Sequence, residues 1–377
     1  MAKSKETEEV TDNSKEILKA KLTDKVNKKD HFNFEERVIW KISSGSLLLD
    51  VAMGGGIGPS LIRMAGHPNS GKTPQAIETL RNLLTAVPNS KGLWVLAEGR
   101  LSEENRNRSG LTFVTDPEKW DVGTVFILES NVYELVIEII KELVLNNDQK
   151  IIYGFVIDSI DGMILRGDKD KEISENIKVA GAPLLSKKML QSLSIGMFKY
   201  GHLMVLISQV TSEIKLDPYS KTANRGGNFS GGFGLLHWSD FILEFQPVYP
   251  SDIITDIPDG KINDGRSKPI GRNVNVVLQK STIETSIKKK ITYPIRYGKK
   301  PSGIWLGREV ADLALMFEQA TKAGAWINFS DTFVEEAKTT GVEIQKQHQG
   351  YANFCNYIES NPEILKYFLE KMKNALL

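Results

Sequence analysis

Gly66-His67-Pro68-Asn69-Ser70-Gly71-Lys72-Thr73 sets two glycines, a lysine and a threonine at the spacing that suits the cradling of a triphosphate. A helix starting near Lys72 leaves its first amides unpaired. The glycines let the backbone before it curl, so that further amides converge on phosphate oxygens. Lys72 then reaches the β- and γ-phosphates and the Thr73 hydroxyl ligates Mg²⁺. All eight residues are candidate nucleotide-binding positions.

Three further segments could complete such a site. Phe155-Val156-Ile157-Asp158 is an apolar strand that ends in a carboxylate, and Asp158 is expected to hold Mg²⁺, directly or through water. Leu93-Trp94-Val95-Leu96-Ala97-Glu98 has the same form. Glu98 could orient and deprotonate a water that attacks the γ-phosphate, or be a surface glutamate. Leu206-Ile207-Ser208-Gln209 closes a third strand with an amide that can touch the γ-phosphate and report it to the loop that follows.

The loop needs a strand before it and a helix after it. Leu61 to Ala65 reads as a short buried strand, and Pro74 to Leu84 as a helix with apolar Ala76, Ile77, Leu80, Leu83 and Leu84. Pro74 is tolerated because the first helical turn has no use for its missing N–H. From Val38 to about Tyr297 short apolar strands alternate with amphipathic helices, which predicts an α/β fold with a mostly parallel sheet covered on both faces. The expected strands are Leu93 to Leu96, Val125 to Leu128, Gly154 to Ile157, Leu203 to Ile207, Phe241 to Phe245 and Val274 to Leu278. Helices are expected over Val132 to Leu145 and Leu184 to Tyr200, and Gln246 to Arg272 reads as a loop or hairpin insertion.

The ends differ from this middle. Residues 1 to 12 are polar, and a short helix capped by Asn13 or Ser14 follows, with Ile17, Leu18, Leu22 and Val26 on one face. That stripe suits packing on its own domain and packing on a neighbouring subunit equally. After Trp305 a small helical domain is expected, from Arg308 to Lys322, near Val342 to Ile358, and from Asn361-Pro362 onward. The expected organisation is a disordered start and an N-terminal oligomerisation helix over 1–37, an ATPase core over 38–304 and a C-terminal domain over 305–377.

With 377 residues, 41% hydrophobic and 25% charged, the chain has the composition of a soluble globular protein. No apolar run approaches the roughly 20 residues that span a bilayer, and no apolar signal core stands at the N-terminus, so a cytoplasmic protein without a membrane partner is expected. The single cysteine, Cys355, excludes an internal disulfide framework and reads as a buried thiol among Tyr351, Phe354 and Tyr357. A net charge of +1 leaves any nucleic-acid binding to a local stripe of Lys and Arg.

In order and spacing the motifs resemble the RecA family of homologous-recombination ATPases. The matching stretches are Ile42-Ser43-Ser44-Gly45-Ser46-Leu47-Leu48-Leu49-Asp50, the phosphate loop, Ala97-Glu98, Ile157-Asp158-Ser159, Ser208-Gln209, Gly231-Gly232 and Lys322-Ala323-Gly324-Ala325-Trp326. Within that family the chain looks like a bacteriophage strand-exchange protein of the UvsX type. The resemblance implies a DNA-dependent ATPase with a RecA-like core. It would form a helical homo-oligomeric filament on single-stranded DNA, bind ATP with Mg²⁺ between protomers, and pair with homologous duplex DNA for strand exchange. Mediator and single-strand-binding proteins are implied partners, and a bacterial or phage-infected cell is the implied setting.

Carried over by position, Lys72 and Thr73 hold phosphate and Mg²⁺, Glu98 is the general base, Asp158 is the second metal-site acid and Gln209 senses the γ-phosphate. Lys280 aligns with a lysine that family members extend to the neighbour's ATP. Two loops are implied to carry DNA: about 166–183, with Arg166, Lys169, Lys171 and Lys178, and about 211–231, with Lys215, Tyr219, Lys221, Arg225 and Phe229. Leu278, Asn105 and His237 depart from the family's interfacial lysine, adenine-stacking tyrosine and site-linking phenylalanine, and the chain ends in Lys371, Lys373 and Leu377 where RecA carries an acidic tail. A recombination mediator and a ring helicase motor are the competing functions that share this core.

Overall fold

The computed structural model describes residues 13–24, 31, 33–34, 36–99, 101–169, 191, 193–211, 228–229, 237–257, 266–298 and 303–376. Fourteen strands are described: β1 (Ser60–Gly66), β2 (Ser90–Leu96), β3 (Thr112–Val114), β4 (Thr124–Leu128), β5 (Ile152–Asp158), β6 (Leu203–Thr211), β7 (Asn228–Phe229), β8 (Phe241–Phe245), β9 (Ile253–Thr255), β10 (Pro269–Lys280), β11 (Lys290–Arg296), β12 (Ala320–Ala323), β13 (Trp326–Phe329) and β14 (Gln347–Gln349).

Eleven of them form one sheet, whose main path runs β11-β10-β8-β1-β6-β5-β2-β4-β3. From β3 to β8 every neighbouring pair on this path is parallel, while β10 joins β8 antiparallel and β11 joins β10 likewise. The parallel strands are buried on both faces, which is why β1, β2 and β5 read as near-continuous apolar runs. Their side chains divide between two cores. One holds Ile62, Met64, Trp94, Val156 and Val205 against Ala76, Ile77, Leu80 and Leu83 of the helix Lys72–Ala86. The other holds Val95, Phe155, Met204 and Leu206 against the helix Tyr133–Leu145 and against Leu193 and Met197.

All six expected strands are present, although β10 begins at Pro269, five residues before Val274. Strands β3 and β11 were not anticipated: one is three residues long, and the other, Lys-Ile-Thr-Tyr-Pro-Ile-Arg, carries an internal proline that argues against a strand. Over Gln246 to Arg272 the described residues pair β9 with β10 antiparallel, as a hairpin does. Of the expected helix Leu184 to Tyr200, residues 191 and 193–199 are helical, and 184–190 and 192 lie outside the described residues. In the N-terminal helix Ser14–Thr23 no residue is buried, Ile17 and Leu18 are exposed, and Asn13 makes no side-chain cap; Val26 lies outside the described residues.

The C-terminal segment carries helices and also a three-stranded antiparallel sheet, β12-β13-β14. The helix expected to run from Arg308 to Lys322 is Leu306–Met316, and Lys322 lies in β12. Gly324, two residues past that expected helix end, turns the β12–β13 hairpin with φ 61°. The helix expected near Val342 is β14 followed by Tyr351–Ser360, and Asp331–Thr339 is a helix that apolar spacing did not reveal. Ser330 caps it by accepting from Phe333 N. Cys355 is buried as expected beside Phe354, and burial pushes its thiol up to about 12.

This unit is fastened to the start of the core. Leu47 and Val51, from the short helix Leu47–Ala52, pack into the same cluster as Val310, Phe333, Phe354 and Phe368. Glu309, 2% exposed, reaches across to the first turn of that helix, where its carboxylate accepts from Ser46 Oγ at 2.7 Å, Leu48 N at 3.0 Å and Leu47 N at 3.2 Å. A carboxylate at a helix N-terminus is favoured there, yet burial pushes this one up to about 7 from 4.5. A folded-state value above the unfolded one means the native protein binds the extra proton, so Glu309 disfavours folding as pH rises from about 4.5 to 7. Chemical denaturation across that window should show wild-type stability falling relative to Glu309→Gln, by an amount on the order of 2–3 kcal/mol. Parallel pH profiles for the two proteins would refute the assignment.

Candidate functional site

Strand order alone assembles the site. β1, β6, β5 and β2 are consecutive neighbours, all parallel, and each leads at its C-terminal edge into one expected group. Gly66 ends β1 in register with Gln209 of β6, and Leu96 of β2 is in register with Asp158 of β5. In open parallel sheets that edge is where ligands bind.

The loop has the shape its glycines permit. Gly71 has φ 113° and Asn69 φ 58°, both in the left-handed region, and Gly71 is the N-cap of the helix Lys72–Ala86. A Cβ on Gly66 would run into the Phe245 carbonyl of β8, so only glycine fits this strand end. Ser70 Oγ donates to His67 O at 2.7 Å, closing the turn. Lys72 is buried, and its Nζ donates to Gly66 O at 2.8 Å and His67 O at 2.6 Å, which holds the ammonium across the mouth of the loop. Burial lowers its pKa, against the opposing pull of Asp158, Asp161 and Glu98.

Thr73 and Asp158 stand side by side. Thr73 Oγ1 donates to Asp158 Oδ2 at 3.2 Å. Burial raises the Asp158 carboxyl to about 6, with Glu98 adding to the shift while Thr73 and Lys72 oppose it. The two groups fit Mg²⁺, a hard cation that takes one or two protein oxygens and completes its shell with water and phosphate. Among the described residues no group of three or more His, Cys, Asp or Glu forms a cage of protein ligands for a metal.

Glu98 is exposed just past the end of β2, where Ser159 Oγ donates to its Oε1. Gln209 Nε2 lies 3.5 Å from the same oxygen, so the expected base and the expected sensor are adjacent. Several partners were missed in the sequence. Asp161 accepts from Gln209 N at 2.6 Å, fixing the end of β6. Arg63, fully buried in β1, donates from Nε to Ser208 Oγ at 3.0 Å, and burial lowers it to about 10. A charged residue inside the apolar run Leu61-Ile62-Arg63-Met64-Ala65 was the available signal.

Lys280 lies away from this chain's loop. It ends β10 opposite Ile242, at the N-terminal end of β8, and its Nζ donates to His237 O at 2.7 Å. Of the proposed DNA residues, Arg166 and Lys169 form an exposed helical turn, with Arg166 N donating to Glu134 Oε2 at 2.8 Å and its guanidinium 3.9 Å from Glu138. Phe229 lies in β7, which pairs with Val210 and Thr211 of β6. Lys171, Lys178, Lys215, Tyr219, Lys221 and Arg225 lie outside the described residues, as do Gly231 and Gly232.

Sheet order, loop and acid strand together form an arrangement suited to holding a nucleoside triphosphate at this edge. No protein-family model matches the chain. It is 26% identical to Protein RecA of Fusobacterium nucleatum over 357 residues, spanning 93% of this chain and 79% of that protein. Protein RecA of Pseudomonas savastanoi is 25% identical over 348 residues, 91% of this chain and 84% of the relative. Protein RecA of Bartonella bacilliformis is 24% identical over 311 residues, 81% of this chain and 79% of the relative. The chain is thus similar to RecA proteins over most of its length.

Lys72→Ala removes the one ammonium at the loop while leaving the apolar contacts of its helix in place. Nucleotide binding measured by fluorescent-analogue titration should fall at least a hundredfold, with far-ultraviolet circular dichroism unchanged. Retained affinity would show that the loop is not the nucleotide site.

Proposed function

We propose that the protein is an ATP-dependent DNA recombinase that assembles as a filament on single-stranded DNA and promotes homologous pairing and strand exchange. The observation that carries this reading is the convergence of the loop, Asp158, Glu98 and Gln209 at one sheet edge, in a chain similar to RecA over most of its length. Loop amides and Lys72 bind the phosphates, and Thr73 with Asp158 holds Mg²⁺. Held there by Thr73 and Asp158, a magnesium ion would supply charge neutralisation of the phosphates. Glu98, held by Ser159, takes the proton of the attacking water, and Gln209 reads the γ-phosphate.

Gln209 is followed directly by Val210 and Thr211, which pair with Asn228 and Phe229 across the second loop. A shift at Gln209 therefore acts on the base of the segment that would hold DNA through Lys215, Lys221, Arg225 and Phe229. Arg166, Lys169, Lys171 and Lys178 contribute the first loop's positive charge. Lys280, remote from its own site, serves the neighbour's nucleotide, so that hydrolysis follows assembly.

The exposed Ile17 and Leu18 suit the helix Ser14–Thr23 to packing on an adjacent protomer, with 1–37 the oligomerisation arm, 38–304 the ATPase core and 305–377 the C-terminal domain. A cytoplasmic setting is the reading that the similarity to RecA suggests; no helix among the described residues is long and apolar enough to cross a membrane. A phage strand-exchange protein of the UvsX type, working with mediator and single-strand-binding proteins, is the reading within the family.

ATP turnover should rise at least tenfold on adding single-stranded DNA, with helical filaments visible by electron microscopy. Lys280→Ala should keep nucleotide binding but lose most of that stimulation. Turnover at full rate by a monodisperse protein without DNA, or closed rings in place of filaments, would reject the proposal.

A further inference from the structure

The phosphate-loop helix is short of one donor. The first amides of a helix have no partner within it and are what an anion meets. Here Gln75 N already donates to Gly71 O at 3.1 Å, and Pro74 has no N–H. Lys72 and Thr73 are left as the only two helix amides that can face a phosphate.

A buried cation stands beside this helix start. Arg272, 8% exposed, lies in β10 on the same face as Val274 and Val276, and opposite Ile295 of β11. β10 runs antiparallel to β8, and Val276 pairs with Phe245 at the end of β8. Arg272 therefore extends four residues past that pair, toward the sheet edge that carries the loop. Its Nη2 is 3.8 Å from where a Cβ on Gly71 would stand, alongside both Val274 methyls at 3.2 Å.

Its charge is poorly compensated. Nη1 is fully buried and has no hydrogen-bond partner among the described residues. Asp252, the carboxylate nearest in electrostatic effect, is engaged by Tyr249 N at 2.8 Å and Asn275 Nδ2 at 3.0 Å. Burying a cation without an anion is costly, and such groups persist where a ligand supplies the missing charge.

Resting on the nucleotide-binding reading above, we propose that Arg272 is a binding residue for the α/β-phosphate end of the nucleotide, supplying the donor that Pro74 lacks. The loop and Lys72 serve the β- and γ-phosphates; Arg272 completes the cradle from the β10 side. A planar guanidinium with five donors suits phosphate oxygens better than a single amide does.

The test is a binding cycle on the full chain with ADP and ATP as titrants. Arg272→Gln should lower affinity for both nucleotides by about tenfold, because both carry the α- and β-phosphates, while Arg272→Lys loses less. Pro74→Thr restores an N–H, so on the Arg272→Gln background it should recover most of the loss, and on the wild-type background change little. Without nucleotide, Arg272→Gln should melt at or above the wild-type temperature, since it removes a buried charge, while the rise in melting temperature caused by ADP shrinks.

Unchanged affinity in Arg272→Gln overturns the proposal. So does a loss confined to ATP, which would move the contact to the γ-phosphate, or a loss that tracks a lowered melting temperature and that Pro74→Thr does not relieve. Failure of the wild-type protein to bind either nucleotide would fault the ATPase reading itself.

Discussion

The close seating of one helix on the sheet is the constraint from which the rest follows. The helix Lys72–Ala86 lies over β2 and β5, where Gly92 and Gly154 leave no side chain between backbone and helix. A Cβ on Gly154 would come within 2.5 Å of Leu80 and 2.6 Å of Leu83. Leu80 and Leu83 therefore seat directly on the sheet backbone there, and the helix N-terminus is held at the strand edge where Asp158 and Gln209 emerge. If that helix stood off by the width of a methyl group, Thr73 would not reach Asp158 and the loop would lose its carboxylate partner.

The same helix ties the site to the C-terminal unit. Gln75 Nε2 donates to Ser44 O at 2.8 Å, and Gln75 Oε1 accepts from Tyr293 of β11 at 2.6 Å. Ser43 and Ser44 are gathered onto the Asp50 carboxylate, each at 2.6 Å, and Ser46 is bound by Glu309. The stretch from Ile42 to Asp50 is thus a hinge of polar contacts between the phosphate-loop helix and the helix Leu306–Met316. Each contact is buried or half-buried, so losing one partner leaves another group desolvated and unmatched.

Legibility in the sequence followed the range of the interaction responsible. The loop, its strand and its helix were readable because each depends on a few consecutive residues whose φ preferences and apolar spacing act locally. Asp158, Glu98 and Gln209 were readable as strand ends for the same reason. Arg63, Asp161, Glu309 and Arg272 were not. Their meaning lies in partners 145, 48, 262 and 201 positions away, namely Ser208, Gln209, Leu47 and Gly71. The strands of the C-terminal unit were missed because β12 and β14, at four and three residues, are too short to show a period of two. Their pairing with β13 decides their state.

By itself the sequence determined the phosphate loop, the apolar strands that end in acids, and the alternation that makes a parallel sheet, because these rest on backbone preference and side-chain periodicity. Tertiary structure decided which strand ends would be neighbours. Only the order β1-β6-β5-β2 sets four groups, drawn from residues 66 to 209, along one edge. It decided equally that Lys280 would lie at the far end of β8 while Arg272, eight residues earlier on the same strand, would lie beside Gly71. Strand direction and register assign those positions, and no local property of either residue announces them.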